Sequence, residues 1–104
     1  MFGMGKKVDA AGIIKEVNDG KALLIDVRGD DEWNGGHAKD AMHLPVDLIM
    51  QGELPTKDTG TKLYLYCASG GRAGTAANYL KSKGFETENL GGLSGWRNAG
   101  GKVE

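Results

Sequence analysis

Two short, almost unbroken apolar runs, Ala22-Leu-Leu-Ile-Asp-Val27 and Lys62-Leu-Tyr-Leu-Tyr66, constrain this chain more than any other feature. Runs of that length are strands, and a strand without alternation suits a parallel sheet covered on both faces. Parallel strands need long crossovers, and helical patterns lie where the crossovers must run. Asp9 stands as an N-cap before Ala10, Ile13, Ile14 and Val17, and Asn18-Asp19-Gly20 ends that helix. Ala73, Ala76, Ala77 and Leu80 recur at i, i+3, i+4 and i+7 on a second helix. Lys81 and Lys83 fall in its last turn, where cations complement the helix dipole. Gly84 fits the C′ position, with Phe85 packing back on Leu80. Shorter elements complete the pattern: a helical turn over 31–34, a strand over 41–44 stopped by Pro45, and a brief helix near 46–50. A surface loop spans 51–61, a last strand 87–90, a tight turn Gly91-Gly92, and a closing helix 94–98. The expectation is one α/β domain over residues 1–104, its core about 8–100, with a mainly parallel sheet flanked by helices on both faces.

Composition excludes several function classes. The 104 residues are 39% hydrophobic and 26% charged, a globular balance. Net charge is −1, without the basic footprint of a nucleic-acid binder, and Lys6 with Lys7 is too small a cluster to make one. No apolar run approaches the length of a membrane span. The start, Met-Phe-Gly-Met-Gly-Lys-Lys, shows no signal peptide, which points to the cytoplasm; the periplasm is the alternative if a leader has been removed. One cysteine forms no internal disulfide and no Cys-x-x-Cys pair, so Cys67 acts alone or with another molecule. His37, His43 and Cys67 lack ligand spacing, so no metal is expected. Glycine is abundant, 18 residues against only 2 prolines, which marks turns and close backbone approaches.

Cys67 ends a buried strand, directly before a glycine-rich loop that opens a helix. In open α/β sheets that crevice is where ligands bind. Each residue from Ala68 to Ala73 carries a backbone N–H, and Gly70 and Gly71 let the chain curl so that several point inward. The helix start adds its positive end. Together these would stabilise a sulfur anion and lower the thiol pKa. An inert buried cysteine is the alternative, since free cysteines are usually buried. The conjunction of strand end, glycine loop and helix start favours a nucleophile.

These residues resemble the rhodanese family, small single-domain sulfurtransferases. Cys67-Ala-Ser-Gly-Gly-Arg72 is similar to the family's active-site loop, C-x-S-G-x-R. Leu24-Ile-Asp-Val-Arg28 resembles its L-I-D-V-R strand. Glu32-Trp33-Asn-Gly-Gly36-His37 with Ala41-Met-His-Leu-Pro45 resembles E-[FYW]-x-x-G-H followed by A-x-x-[IL]-P. Gly84-Phe85 and Gly91-Gly92-Leu-Ser-Gly-Trp96 match its closing segment. The four segments stand in family order from residue 8 to about 100.

The resemblance implies that Cys67 takes a sulfane sulfur from thiosulfate or a persulfide and carries it as a persulfide. The backbone of Ala68, Ser69, Gly70, Gly71, Arg72 and Ala73 would cradle it. The acceptor would be cyanide or a thiol, including a thioredoxin-like or sulfur-carrier protein; no cofactor is implied. Four residues separate Cys67 from Arg72, as in sulfurtransferases, whereas phosphatases and arsenate reductases of this fold have five. A non-enzymatic carrier or partner-binding module is the other alternative. Ala68 and Gly71 replace the polar or cationic residues of many relatives, which leaves Arg72 as the loop's only cation and turns donor preference toward uncharged or protein-borne persulfides.

Supporting roles divide as follows. Arg72 either reaches an anionic donor or fixes the loop through Asp26 or Glu32, and an arginine fork suits the carboxylate. Asp26 and Arg28, at the end of a strand, are expected in structural ion pairs or loop hydrogen bonds, and His37 is expected to bond backbone near Gly36. Trp33 and Trp96 are packing or pocket-rim residues, Trp33 the better candidate for the rim. Tyr64 and Tyr66 should pack on the strand face opposite Leu63, Leu65 and Cys67.

Overall fold

A computed structural model describes residues 7–104; Lys6 and the five residues before it lie outside the described residues. Among the described residues, four parallel strands form one sheet in the order β2-β1-β3-β4: β1 Ala22–Asp26, β2 Met42–His43, β3 Lys62–Cys67 and β4 Thr87–Gly92. The helices are α1 Ala10–Asn18, α2 Asp30–Asn34, α3 Val46–Met50, α4 Gly71–Ser82 and α5 Leu93–Asn98. Among the described residues, no helix is long and apolar enough to cross a membrane.

The side-chain alternation of β3 divides the core between the two faces of the sheet. Leu63, Leu65 and Cys67 join Ile25, Val27 and Ile49 in one cluster, with Ala73, Ala76, Ala77 and Leu80 of α4 against them. Tyr64 and Tyr66 point to the other face, among Ala10 and Ile13 of α1 and Trp96 of α5. Alanines on α4 keep that helix close to the sheet; a larger residue there would push its start away from Cys67.

Local signals terminate the elements much as expected. Asp9 caps α1 by accepting from the Gly12 N–H at 3.0 Å. α4 ends in a Schellman arrangement, with Phe85 N–H donating to the Leu80 carbonyl at 3.2 Å. Lys83 lies one residue past that helix, its ammonium 5.3 Å from the centre of the Tyr79 ring. Gly91-Gly92, expected as a tight turn, instead belongs to β4. Pairing shifts from Leu65↔Asn89 to Cys67↔Gly92, so β4 holds one extra residue and both glycines stay in the strand as a bulge.

Candidate active site

Cys67 sits at the carboxyl end of β3, next to the end of β1. The chain leaves β1 toward β2 on one side of the sheet and leaves β3 toward β4 on the other. Divergence of this kind opens a crevice between the two strand ends. Cys67 lies on its floor: the residue is 1% exposed, while Ala68, Ser69 and Gly71 above it are open to solvent.

The loop turns its amides onto the sulfur. Gly70 adopts φ +100 and ψ −14, a left-handed conformation costly for residues with a Cβ, and so reverses the chain over Cys67. Its N–H donates to Cys67 Sγ at 2.9 Å, and Ala73 N–H does so at 3.4 Å. Burial alone would push the thiol up. The amides of Ala73, Ser69, Gly70 and Arg72 outweigh it and hold the thiol below its ordinary value. The start of the twelve-residue α4 contributes in the same direction. The loop is braced from below by close packing, since a Cβ on Gly92 would overlap the Ala68 carbonyl.

Arg72 ties the loop to α2. Its guanidinium forms a two-pronged pair with Glu32, Nη1 to Oε1 at 2.7 Å and Nη2 to Oε2 at 2.9 Å. Of the two carboxylates weighed from the sequence, Glu32 is the partner and Asp26 is not. Hydrogen bonding from Arg72 is the main reason the Glu32 carboxyl falls from an ordinary 4.5 to about 2. Because this acid is depressed, the pair is complete above 4.5 and is lost only as pH falls through about 2. The Arg72 guanidinium proton resonances should therefore hold steady from neutrality to that ordinary value, then move with a midpoint near 2. A midpoint near an unperturbed carboxyl would mean that the pair does not form in solution.

Asp26 and Arg28 form a buried knot at the end of β1. Arg28 Nε donates to both Asp26 oxygens at 3.0 and 3.1 Å, and Nη2 donates to Oδ2 at 2.7 Å and to the Gly36 carbonyl at 2.6 Å. Tyr66 also enters it: its hydroxyl donates to Asp26 Oδ2 at 2.6 Å and accepts from Ala38 N–H at 2.9 Å. Tyr66 is thus more than the packing residue expected, and Tyr64 likewise donates to Glu16 Oε2 at 2.9 Å. Burial, followed by the Asp26 contact, pushes the Tyr66 phenol well up.

The histidines are placed by an aromatic stack that periodicity could not show. His37 lies parallel to Trp33 at 3.5 Å between ring centres, and His43 at 4.7 Å. His37 Nδ1 bonds the Trp33 carbonyl at 3.1 Å, the same backbone oxygen that accepts the Gly36 N–H at 3.1 Å. His43 Nε2 bonds the Arg28 carbonyl at 2.8 Å. Trp96 is core, 1% exposed. Among the described residues, no three His, Cys, Asp or Glu side chains are gathered to hold a metal ion. Asn89, within the strand β4, bonds the Gly70 carbonyl through Nδ2 at 2.9 Å. An Asn two residues before a glycine signals a local turn; nothing in the sequence signals the contact across strands. A groove of about 460 Å³ lies elsewhere, lined by Ala10, Ile14, Trp96, Ala99 and Lys102.

The model of the rhodanese-like domain family matches residues 9–99. An uncharacterised Bacillus subtilis protein, YqhL, is 40% identical over 86 residues, covering 81% of this chain and 65% of its own length. The tRNA uridine(34) hydroxylase of Escherichia fergusonii is 29% identical over 106 residues, covering 97% of this chain and 28% of its own. This chain thus spans less than two thirds of either relative. The crystal structure of the Alr3790 protein from Anabaena superposes with a TM-score of 0.77 at 29% identity, covering 93% of this chain and 79% of that one.

Proposed function

The chain belongs to the rhodanese-like domain family, and from that premise we propose that it is a sulfurtransferase working through a Cys67 persulfide. The observation that carries this is the set of main-chain amides aimed at a single thiol with a lowered pKa. Such a ring suits one terminal sulfur anion, much as an oxyanion hole suits an oxygen. In the first step, the Cys67 thiolate attacks the outer sulfur of the donor. A Cys–S–S bond forms, the donor's own S–S bond breaks, and the donor departs as sulfite or thiolate. In the second, an acceptor attacks the outer sulfur, and the Cys67 thiolate is released as leaving group. Cyanide becomes thiocyanate and a thiol becomes a persulfide, which is double-displacement covalent catalysis.

The donor is an uncharged or protein-borne persulfide in preference to thiosulfate. Arg72 is the loop's only cation and is committed to Glu32, so an incoming dianion meets little uncompensated positive charge. The acceptor is a small thiol or a thiol-bearing carrier protein. The hydroxylase activity in one relative's name is not carried over, because this chain spans 28% of that protein. A net charge of −1 also gives no footprint for RNA.

Intact-protein mass spectrometry tests the proposal. Incubation with a small alkyl persulfide should add one sulfur atom, which cyanide then removes with one equivalent of thiocyanate. Thiosulfate should load the protein more slowly. Failure of both donors, or hydrolysis of an aryl phosphate in their place, would overturn it.

A further inference from the structure

Gly70 presents its N–H to Cys67, but the next peptide is held from outside the loop. The Gly70 carbonyl accepts the first bond of α4, from Gly74 N–H at 2.9 Å, and a second from Asn89 Nδ2 at 2.9 Å. Asn89 Oδ1 accepts from Gly91 N–H at 2.8 Å. One amide thus ties the bulge of β4 to the active loop. Its orientation is dictated by its partners, because the Gly91 group it meets is an N–H and the Gly70 group it meets is a carbonyl. The tie is anchored, since Asn89 pairs in register with Leu65 of β3. Asn89 is exposed, so the tie runs over the surface of the loop, where little room is left beside it. A Cβ on Gly74 would stand 3.3 Å from Asn89 Nδ2, and one on Gly70 would stand 3.3 Å from Gly91 Cα.

A trans peptide carries its C=O and N–H in opposite directions. With the Gly70 carbonyl aimed along α4 toward Gly74, the Gly71 N–H points back out of the helix start, and this peptide lies in sequence between the Gly70 and Arg72 amides that hold the Cys67 thiol. We propose that Asn89 is a positioning residue for sulfur transfer, fixing the Gly70–Gly71 peptide so that the ring of amides stays closed around Cys67 and its outer sulfur. This rests on the persulfide chemistry proposed above and adds a residue outside the loop motif to it.

The test uses Asn89→Ala and Asn89→Asp. The aspartate keeps an acceptor for Gly91 N–H but offers no donor to Gly70. The thiolate is titrated by ultraviolet absorbance against Cys67→Ser as blank, and the persulfide, loaded from a small alkyl persulfide, is timed by mass spectrometry. Asn89→Ala should raise the titration midpoint by about half a unit to one unit and shorten the persulfide lifetime several-fold. Asn89→Asp should raise the midpoint further, because it adds a negative charge beside the loop. Unmoved midpoints and lifetimes in both variants, beside a depressed wild-type thiol, overturn the role of Asn89 whatever happens to melting temperature. A wild-type thiol that titrates like free cysteine overturns the amide cradle itself, and Asn89's role with it.

Discussion

Cys67→Ser is expected to lose sulfur transfer altogether, by roughly 10³-fold or more, while remaining folded. A serine hydroxyl stays protonated across the working range, so it supplies no anionic nucleophile and forms no persulfide analogue. The amides of Gly70 and Ala73, which now donate to Sγ, find a neutral oxygen of similar size in the same place. Stability should therefore change by no more than about 1 kcal/mol. Thiocyanate formation and single-sulfur loading are the measurements. Transfer that persists in this variant would remove Cys67 from the mechanism, and collapse of the fold would mean that the thiol is a packing residue first.

The second large effect is on stability. Asp26→Ala should cost about 3–5 kcal/mol, as expected when a buried charge loses its partner. Asp26 is fully buried and Arg28 is 7% exposed, so the orphaned guanidinium has little water to turn to. The variant also removes the acceptor of the Tyr66 hydroxyl and of the Arg28 backbone N–H. Against a typical domain stability of about 5–15 kcal/mol, the loss is severe. Urea unfolding measures it. Replacing Asp26 and Arg28 together by methionine should cost less than the single change, because no charge is then left stranded. A cost under about 1 kcal/mol for Asp26→Ala would mean that water reaches the knot.

The elements themselves were legible, because each depends on neighbours in sequence. Asp9, the alanine stripe of α4 and the Gly84-Phe85 end are signals within one or two turns. The position of Cys67 was legible for the same reason, being set by a strand, a loop and a helix in succession. What escaped were relations between segments. The bulge that keeps Gly91 and Gly92 in β4 arises from pairing with β3. The Trp33 stack depends on where β2 brings His43. Tyr66 looked like a β-forming core residue because alternation reports which face a side chain occupies, not what its hydroxyl meets there. For Arg72 the sequence leaves open an anionic donor or a carboxylate such as Asp26 or Glu32, and only chain geometry brings it to Glu32.

Because the groups that grip the sulfur are peptide N–H groups, they persist under any substitution that preserves the bend at Gly70. The outward side chains of Ala68 and Ser69 can therefore vary without disturbing the anion. On the proposed chemistry, choice of client and capacity for reaction are written in separate parts of the polypeptide, so a new donor is accommodated by point changes at the rim while the reactive centre is inherited intact.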